Sequence, residues 1–556
     1  MLKLIGSRIV SLRITLTNTI SGWSFVSSSF RYLQMALLQR LHLIDIEPDE
    51  FDELLLDNFV KQLHTLLIDV SPSNSFNGLQ IEGIYLVKIC SRMPFLKTCR
   101  LPFNYDDMKR NSTGNYSLKY EISLTNLLNF NQLRTLTIGI HTAQFLERLL
   151  LCIPLIENFS FTIRNRDNHE NDNEIILPVA IDSHHLRYLS RLNMHCLDRI
   201  SFYRMTALFS LVFDRLNHLS LKLDAYMSIS DSLIISGDII QQLCIDRLKS
   251  MATYRLSLLL SVENDMQDKF IFNSFLKSPF IHQEKSRVLI QEYTNHDISR
   301  SYHCFMIYTF PYNDTVIKPC VFSTNLQRFS QTTTNAMNLF PRINTLSLFG
   351  YKKMKYIRDL GNIRSSISSL VPWTLFTHIE INDSDVITHH TLRSILEMAY
   401  NVHTLDIFDD RGVFFRTILH NKDSFGRRIN QQIKSLKIFD ASWTLQNVQR
   451  FCRLLSNQFS SLKTFSFTIF ASYLHWRWQP SHTIGGKNKS TKRIVNLIHF
   501  IIDHLQQLVW LEINFSNLDA PDTPCFPDLI RRQLHQYSLS RPCQFRCSTK
   551  EIQIWL

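Results

Sequence analysis

The groups best placed to do chemistry are histidines in close pairs: His184-His185, His389-His390, and His499 with His504. Paired imidazoles suit a metal ion, but a site also needs Cys or carboxylate donors at ligand spacing, and none accompanies these. His499 and His504 are five apart, off the i, i+4 spacing of one helical face. Both read as ordinary polar positions. Lysines cluster at Lys352-Lys353-Met354-Lys355 and in Gly485-Gly486-Lys487-Asn488-Lys489-Ser490-Thr491-Lys492-Arg493. The second cluster has the composition of a phosphate loop without its spacing. Its glycines adjoin, Asn488 follows Lys487, and Pro480 interrupts the approach from the preceding strand. It reads as a solvated loop. Trp476-Arg477-Trp478 could stack on bases, although the end of a packed strand is the simpler reading. Asp409-Asp410 follow a strand and read as a turn or cap. No G-x-S-x-G nucleophile elbow occurs. These residues predict no catalytic centre, no cofactor and no metal, hence a protein that is not an enzyme.

The elements that would position any surface group follow one beat, L-x-x-L-x-L. It runs clearest at Leu133-Arg134-Thr135-Leu136-Thr137-Ile138 and returns at Ile343–Leu348, Val402–Ile407, Ile433–Ile438, Leu462–Phe467 and Leu508–Ile513. Alternation buries the L positions of a short strand and turns the residues between them outward. One strand cannot cover its own apolar face, so copies must stack. Fourth-position spacings are 25 from Leu41 to Leu66, 33 to Cys99, 37 to Leu136 and 23 to Phe159. They are 33 from Leu346 to Ile379, 26 to Leu405, 31 to Leu436 and 29 to Phe465. Such lengths leave room for a full helix between strands, and candidates lie at Pro48–Phe59, 79–92, Thr142–Cys152, Thr388–Ala399, Leu445–Gln458 and Lys492–His504.

The expected fold is therefore α/β: a leucine-rich-repeat solenoid with parallel strands on the concave face and helices on the convex face. Irregular repeats would fill 1–253 and 331–520. Residues 254–330 would form an α+β insert or diverged repeats, and 521–556 a C-terminal cap or tail. The candidate binding surface is the outward strand face, represented by Thr137, Lys222, Ser347, Glu380, Asp406, Lys437, Ser466 and Glu512.

Hydrophobic residues make up 45 % of the 556 and charged residues 19 %, which argues against disorder. Thirty-nine phenylalanines often stand in for leucine at the repeat positions. The net charge of +12 licenses no more than non-specific attraction to acidic partners. Eleven cysteines are scattered where small apolar residues would serve, and read as buried thiols of a reducing compartment. Only Cys543-x-x-x-Cys547 hints at a disulfide-bonded cap. The N-terminus lacks a signal peptide's apolar core, and no window suggests a membrane helix. The expected location is the cytoplasm, with the nucleus as the alternative.

With its strand motif, its helix at Phe272-Asn273-Ser274-Phe275 and the closing Tyr308-Thr309-Phe310-Pro311-Tyr312, the chain resembles a divergent family of F-box and leucine-rich-repeat proteins. The resemblance implies a protein partner and substrate recognition for a ubiquitin ligase. Family members usually begin with an F-box near Leu-Pro-x-Glu, and no such run precedes the first strand here. Glu47-Pro48-Asp49-Glu50-Phe51-Asp52-Glu53-Leu54 falls between two strands and reads as a convex-face helix. A ligase adaptor would thus be a partner only if an F-box were supplied. The alternative function is a basic solenoid binding RNA or DNA, resting on the net charge and the lysine clusters.

Overall fold

The computed structural model describes residues 9–16, 37–70, 83–101, 132–163, 177–227, 233–263, 288–296, 301–309, 340–349, 373–382, 389–409, 431–440, 461–471, 484–517, 526–548 and 551–556, with parts of 74–76, 270–278, 311–317 and 429–459. Lys352–Lys355 and Trp476–Trp478 lie outside these residues. The chain divides into two compact units, Met1–Ile290 with His303–Thr309, and Gln291–Tyr302 with Phe310–Leu556.

The architecture is mixed α/β with large, mainly parallel sheets. In the first sheet nine strands succeed one another in chain order and pair in parallel. They are β1 (Ser11–Thr15), β2 (Arg40–Ile44), β3 (Thr65–Asp69), β4 (Thr98–Leu101), β5 (Thr135–Ile140), β6 (Asn158–Ile163), β7 (Arg191–Cys196), β8 (His218–Met227) and β9 (Thr253–Val262). Thr253–Val262 carries the parallel ladder on from β8. The sheet then turns back: β11 (Ser301–Thr309) runs antiparallel to β9, and β10 (Val288–His296) follows at the edge.

The second sheet runs β12 (Val316–Ile317), β13 (Thr345–Phe349), β14 (His378–Asn382), β15 (Thr404–Asp409), β16 (Ser435–Asp440), β17 (Thr464–Ala471) and β18 (Trp510–Asn517), all parallel. An antiparallel pair, β20 (Glu551–Trp555) then β19 (Gln544–Cys547), completes it.

Register follows the motif. The second L of each unit pairs with the second L of the next: Leu136 with Phe159, Leu405 with Leu436, Leu436 with Phe465. Those side chains are buried, and alternate residues are turned the other way. Helices lie between strands where the spacing leaves room. They are α1 (Pro48–Leu56), α2 (Ile84–Arg92), α3 (Ala143–Cys152) and α4 (Arg199–Leu208). Phe51, Leu86, Leu149 and Phe202 from these helices share one core with the inward residues of the strands. Pro48 pre-sets the first turn of α1, and the Glu50 carboxylate accepts from the Glu47 backbone N–H at 3.1 Å.

A recurrent backbone contact joins successive strands. The carbonyl just before each strand accepts two N–H groups from the start of the next strand: Lys97 O takes Arg134 N and Thr135 N at 2.8 and 3.0 Å. Arg134 O takes Glu157 N and Asn158 N at the same distances. In the second unit Asn344 O takes Thr377 N and His378 N, and His403 O takes Lys434 N and Ser435 N.

Two expectations need correcting. Gly485–Arg493 is not a loop but the opening of a long helix, Ile484–His504. Ile494, Val495, Leu497, Ile498, Ile501 and Ile502 are buried, and Thr491, also buried, donates to Lys487 O at 2.9 Å. Burial of that apolar stripe outweighs the weak helix propensity of two glycines at the very end. Cys543 and Cys547 are free thiols, as are the other described cysteines. No helix among the described residues is long and apolar enough to cross a membrane.

Candidate functional site

Turning the L positions inward leaves the intervening residues as in-register rows across the opposite face of each sheet. In the second sheet one row runs Ser347, Glu380, Asp406, Lys437, Ser466, Glu512 over six adjacent strands. All six expected residues of that half thus stand side by side, at the ~4.8 Å separation of neighbouring strands. Ser466 Oγ donates to the Glu512 carboxylate at 2.6 Å, and the two serines are buried. Glu380 and Asp406 are directly opposite each other, a like-charge pair. The His378 imidazole lies beside Asp406, its Nε2 3.3 Å from the carboxylate. One step along the strands Phe408 and Phe439 form a tilted ring pair with centroids 5.6 Å apart.

The first sheet does not gather its two expected residues. Thr137 shares a row with Arg100 and Ser160, whereas Lys222 belongs to the next row, beside His195 and Ser257. What distinguishes this face is charge that the repeat motif alone does not mark. Asp69 receives His42 Nε2 at 2.8 Å and Arg100 at 2.9 Å. His195 lies 3.9 Å from Asp224. Both contacts have the His378–Asp406 geometry: an imidazole on one strand, and a carboxylate two residues beyond its partner on the next. His42 and Arg100 hold the outward position inside their L-x-L cores, whereas Asp69, His195 and Asp224 lie past it, and strands such as β8 and β9 extend to ten residues.

Elsewhere the titratable groups behave as core residues. Burial pushes the thiols of Cys99 and Cys244 up to about 12 and raises that of Cys452 further still, which makes them poor nucleophiles. Burial also lowers His141, just past β5, to about 4. Among the described residues no group of three or more His, Cys, Asp or Glu side chains could hold a metal ion. His184 is exposed, with its N–H on the Asp182 carboxylate at 2.9 Å. His504 Nδ1 pairs with Phe500 O at 2.8 Å.

No family model and no curated protein matches the sequence. Among solved structures, the leucine-rich repeat-containing protein LegL7 from Legionella pneumophila is similar at 10 % identity, over 88 % of this chain and 97 % of that one, with a TM-score of 0.20. A superposition that loose bears no weight. The reading of the chain rests on its own strand order, register and surface rows.

Proposed function

We propose that the chain is a leucine-rich-repeat solenoid acting as a non-catalytic scaffold, which binds a protein partner through the outward strand faces. The observation that carries this reading is the row Ser347–Glu380–Asp406–Lys437–Ser466–Glu512, crossing six strands in register. Its four charged members, Glu380, Asp406, Lys437 and Glu512, present polar contacts at fixed spacing, which suits recognition of an extended protein surface. Substrate recognition for a ubiquitin ligase is a special case of this reading. Buried thiols favour a reducing compartment, the cytoplasm, as the place of action.

The test is affinity capture from lysate with and without nuclease, comparing the native chain with Glu380→Lys/Lys437→Glu and with Arg393→Glu on the exposed side of the helix His389–Met398. Protein partners that survive nuclease, vanish with the strand-face variant and persist with the helix variant support the scaffold. Partners lost only on nuclease treatment would replace it with the nucleic-acid reading. A ligase adaptor among the survivors would identify the special case.

A further inference from the structure

The outward face of β7, β8 and β9 brings Arg191, His218, Lys222 and Arg255 together. Arg191 is directly opposite His218, and His218 opposite Thr253, with Arg255 two residues further along β9. His218 Nδ1 pairs with Thr253 Oγ1 at 2.8 Å. Burial and then the Arg255 and Arg191 charges hold its pKa down, so it sits neutral between two cations. Both arginines are exposed, and among the described residues neither has an acidic partner. Two unpaired guanidinium groups beside a half-buried imidazole leave a local excess of positive charge, over a floor of Asn193 and Ser220.

We infer that this face takes an extended acidic polypeptide segment, whose Asp or Glu side chains form bidentate pairs with Arg191 and Arg255; the inference rests on the scaffold reading above. The spacing fits. Strands two apart are separated by about 10 Å and Arg255 lies two residues, about 7 Å, further along, which puts the two arginines about 12 Å apart at the backbone. An extended chain rising about 3.3 Å per residue, with alternate side chains on one face, places carboxylates four residues apart at about 13 Å, within reach of both guanidinium groups. Single-stranded nucleic acid fits less well. Its binders add aromatic platforms for the bases, and the outward positions of β6–β9 carry only one aromatic side chain, Tyr226, at the far end of β8.

The experiment titrates the full chain into a labelled oligoglutamate peptide and, separately, an oligothymidylate of equal formal charge, reading fluorescence anisotropy at physiological salt. The peptide is expected to bind more tightly than the oligothymidylate, and Arg191→Glu/Arg255→Glu to weaken it by about tenfold or more. Arg191→Gln/Arg255→Gln serves as a milder pair should charge reversal disturb folding. Equal binding by these variants, tighter binding of the oligothymidylate, or no binding of the peptide would overturn the inference. Peptide failure alongside captured partners that depend on Glu380 and Lys437 would leave the scaffold reading standing without this one.

Discussion

At the scale of the residue, Gly237 shows how little space the core leaves. Its N–H donates to Ser274 Oγ at 2.8 Å, and a Cβ there would sit 2.7 Å from both Phe275 Cα and Ser274 O. Gly237→Ala must therefore push two backbone segments apart, and it should destabilise the chain by about 1–3 kcal/mol in chemical denaturation; an unchanged midpoint would refute the close approach. His141 makes a pH prediction. Its folded pKa of about 4 lies below the ordinary 6.5, so the neutral ring is favoured in the folded state. That stability is fully present above pH 6.5 and is lost as pH falls towards 4. His141→Gln should flatten the stability profile across this window, as melting temperatures at stepped pH would show. Neither effect was legible in the sequence. The glycine's neighbour is 37 residues away, and the histidine's burial comes from packing that no spacing reveals.

At the scale of the element, the strands were legible because their apolar positions repeat, and the six strands matched by the clearest motifs each begin at the third motif position. Boundaries drifted towards the C-terminal side: the motif at Leu133–Ile138 became Thr135–Ile140, and that at Leu462–Phe467 became Thr464–Ala471. The reason is the shared carbonyl before each strand, a backbone contact that starts pairing at the third motif position whatever the side chains. The loop expected at Gly485–Arg493 failed for the opposite reason: the apolar stripe was read as a helix from Lys492 only, and the helix runs back through the glycines and lysines to Ile484. The far end of that helix depends on Arg541, which donates to Gln506 O at 2.8 Å and Leu508 O at 2.9 Å and also reaches Leu505 O at 3.2 Å. Leu505 O lies at the helix end, where carbonyls are left without helical partners, and Gln506 O and Leu508 O belong to the turn that follows. Arg541→Ala should cost about 1–3 kcal/mol, with increased amide hydrogen exchange at 500–508; exchange unchanged there would show the cap to be dispensable.

At the scale of the whole molecule, stacking was legible because a single L-x-x-L-x-L strand cannot bury its own face, and register follows from aligning the L positions. The row through Glu380, Asp406 and Lys437 was therefore predictable as a set. The basic group at Arg191, His218 and Arg255 was not, because Arg255 stands one outward step beyond the shared position of Arg191 and His218, and only pairing across three strands brings them together. The reversal at β11 was also hidden, since strand periodicity carries no direction. The measurement that bears most directly on the scaffold reading is carboxyl-selective labelling of the chain, free and bound to a captured protein partner, read by peptide mass spectrometry. Protection of Glu380 on the strand face, with Glu397 on the exposed helix side still labelled, is the predicted result. Protection of Glu397 with Glu380 unchanged would contradict it.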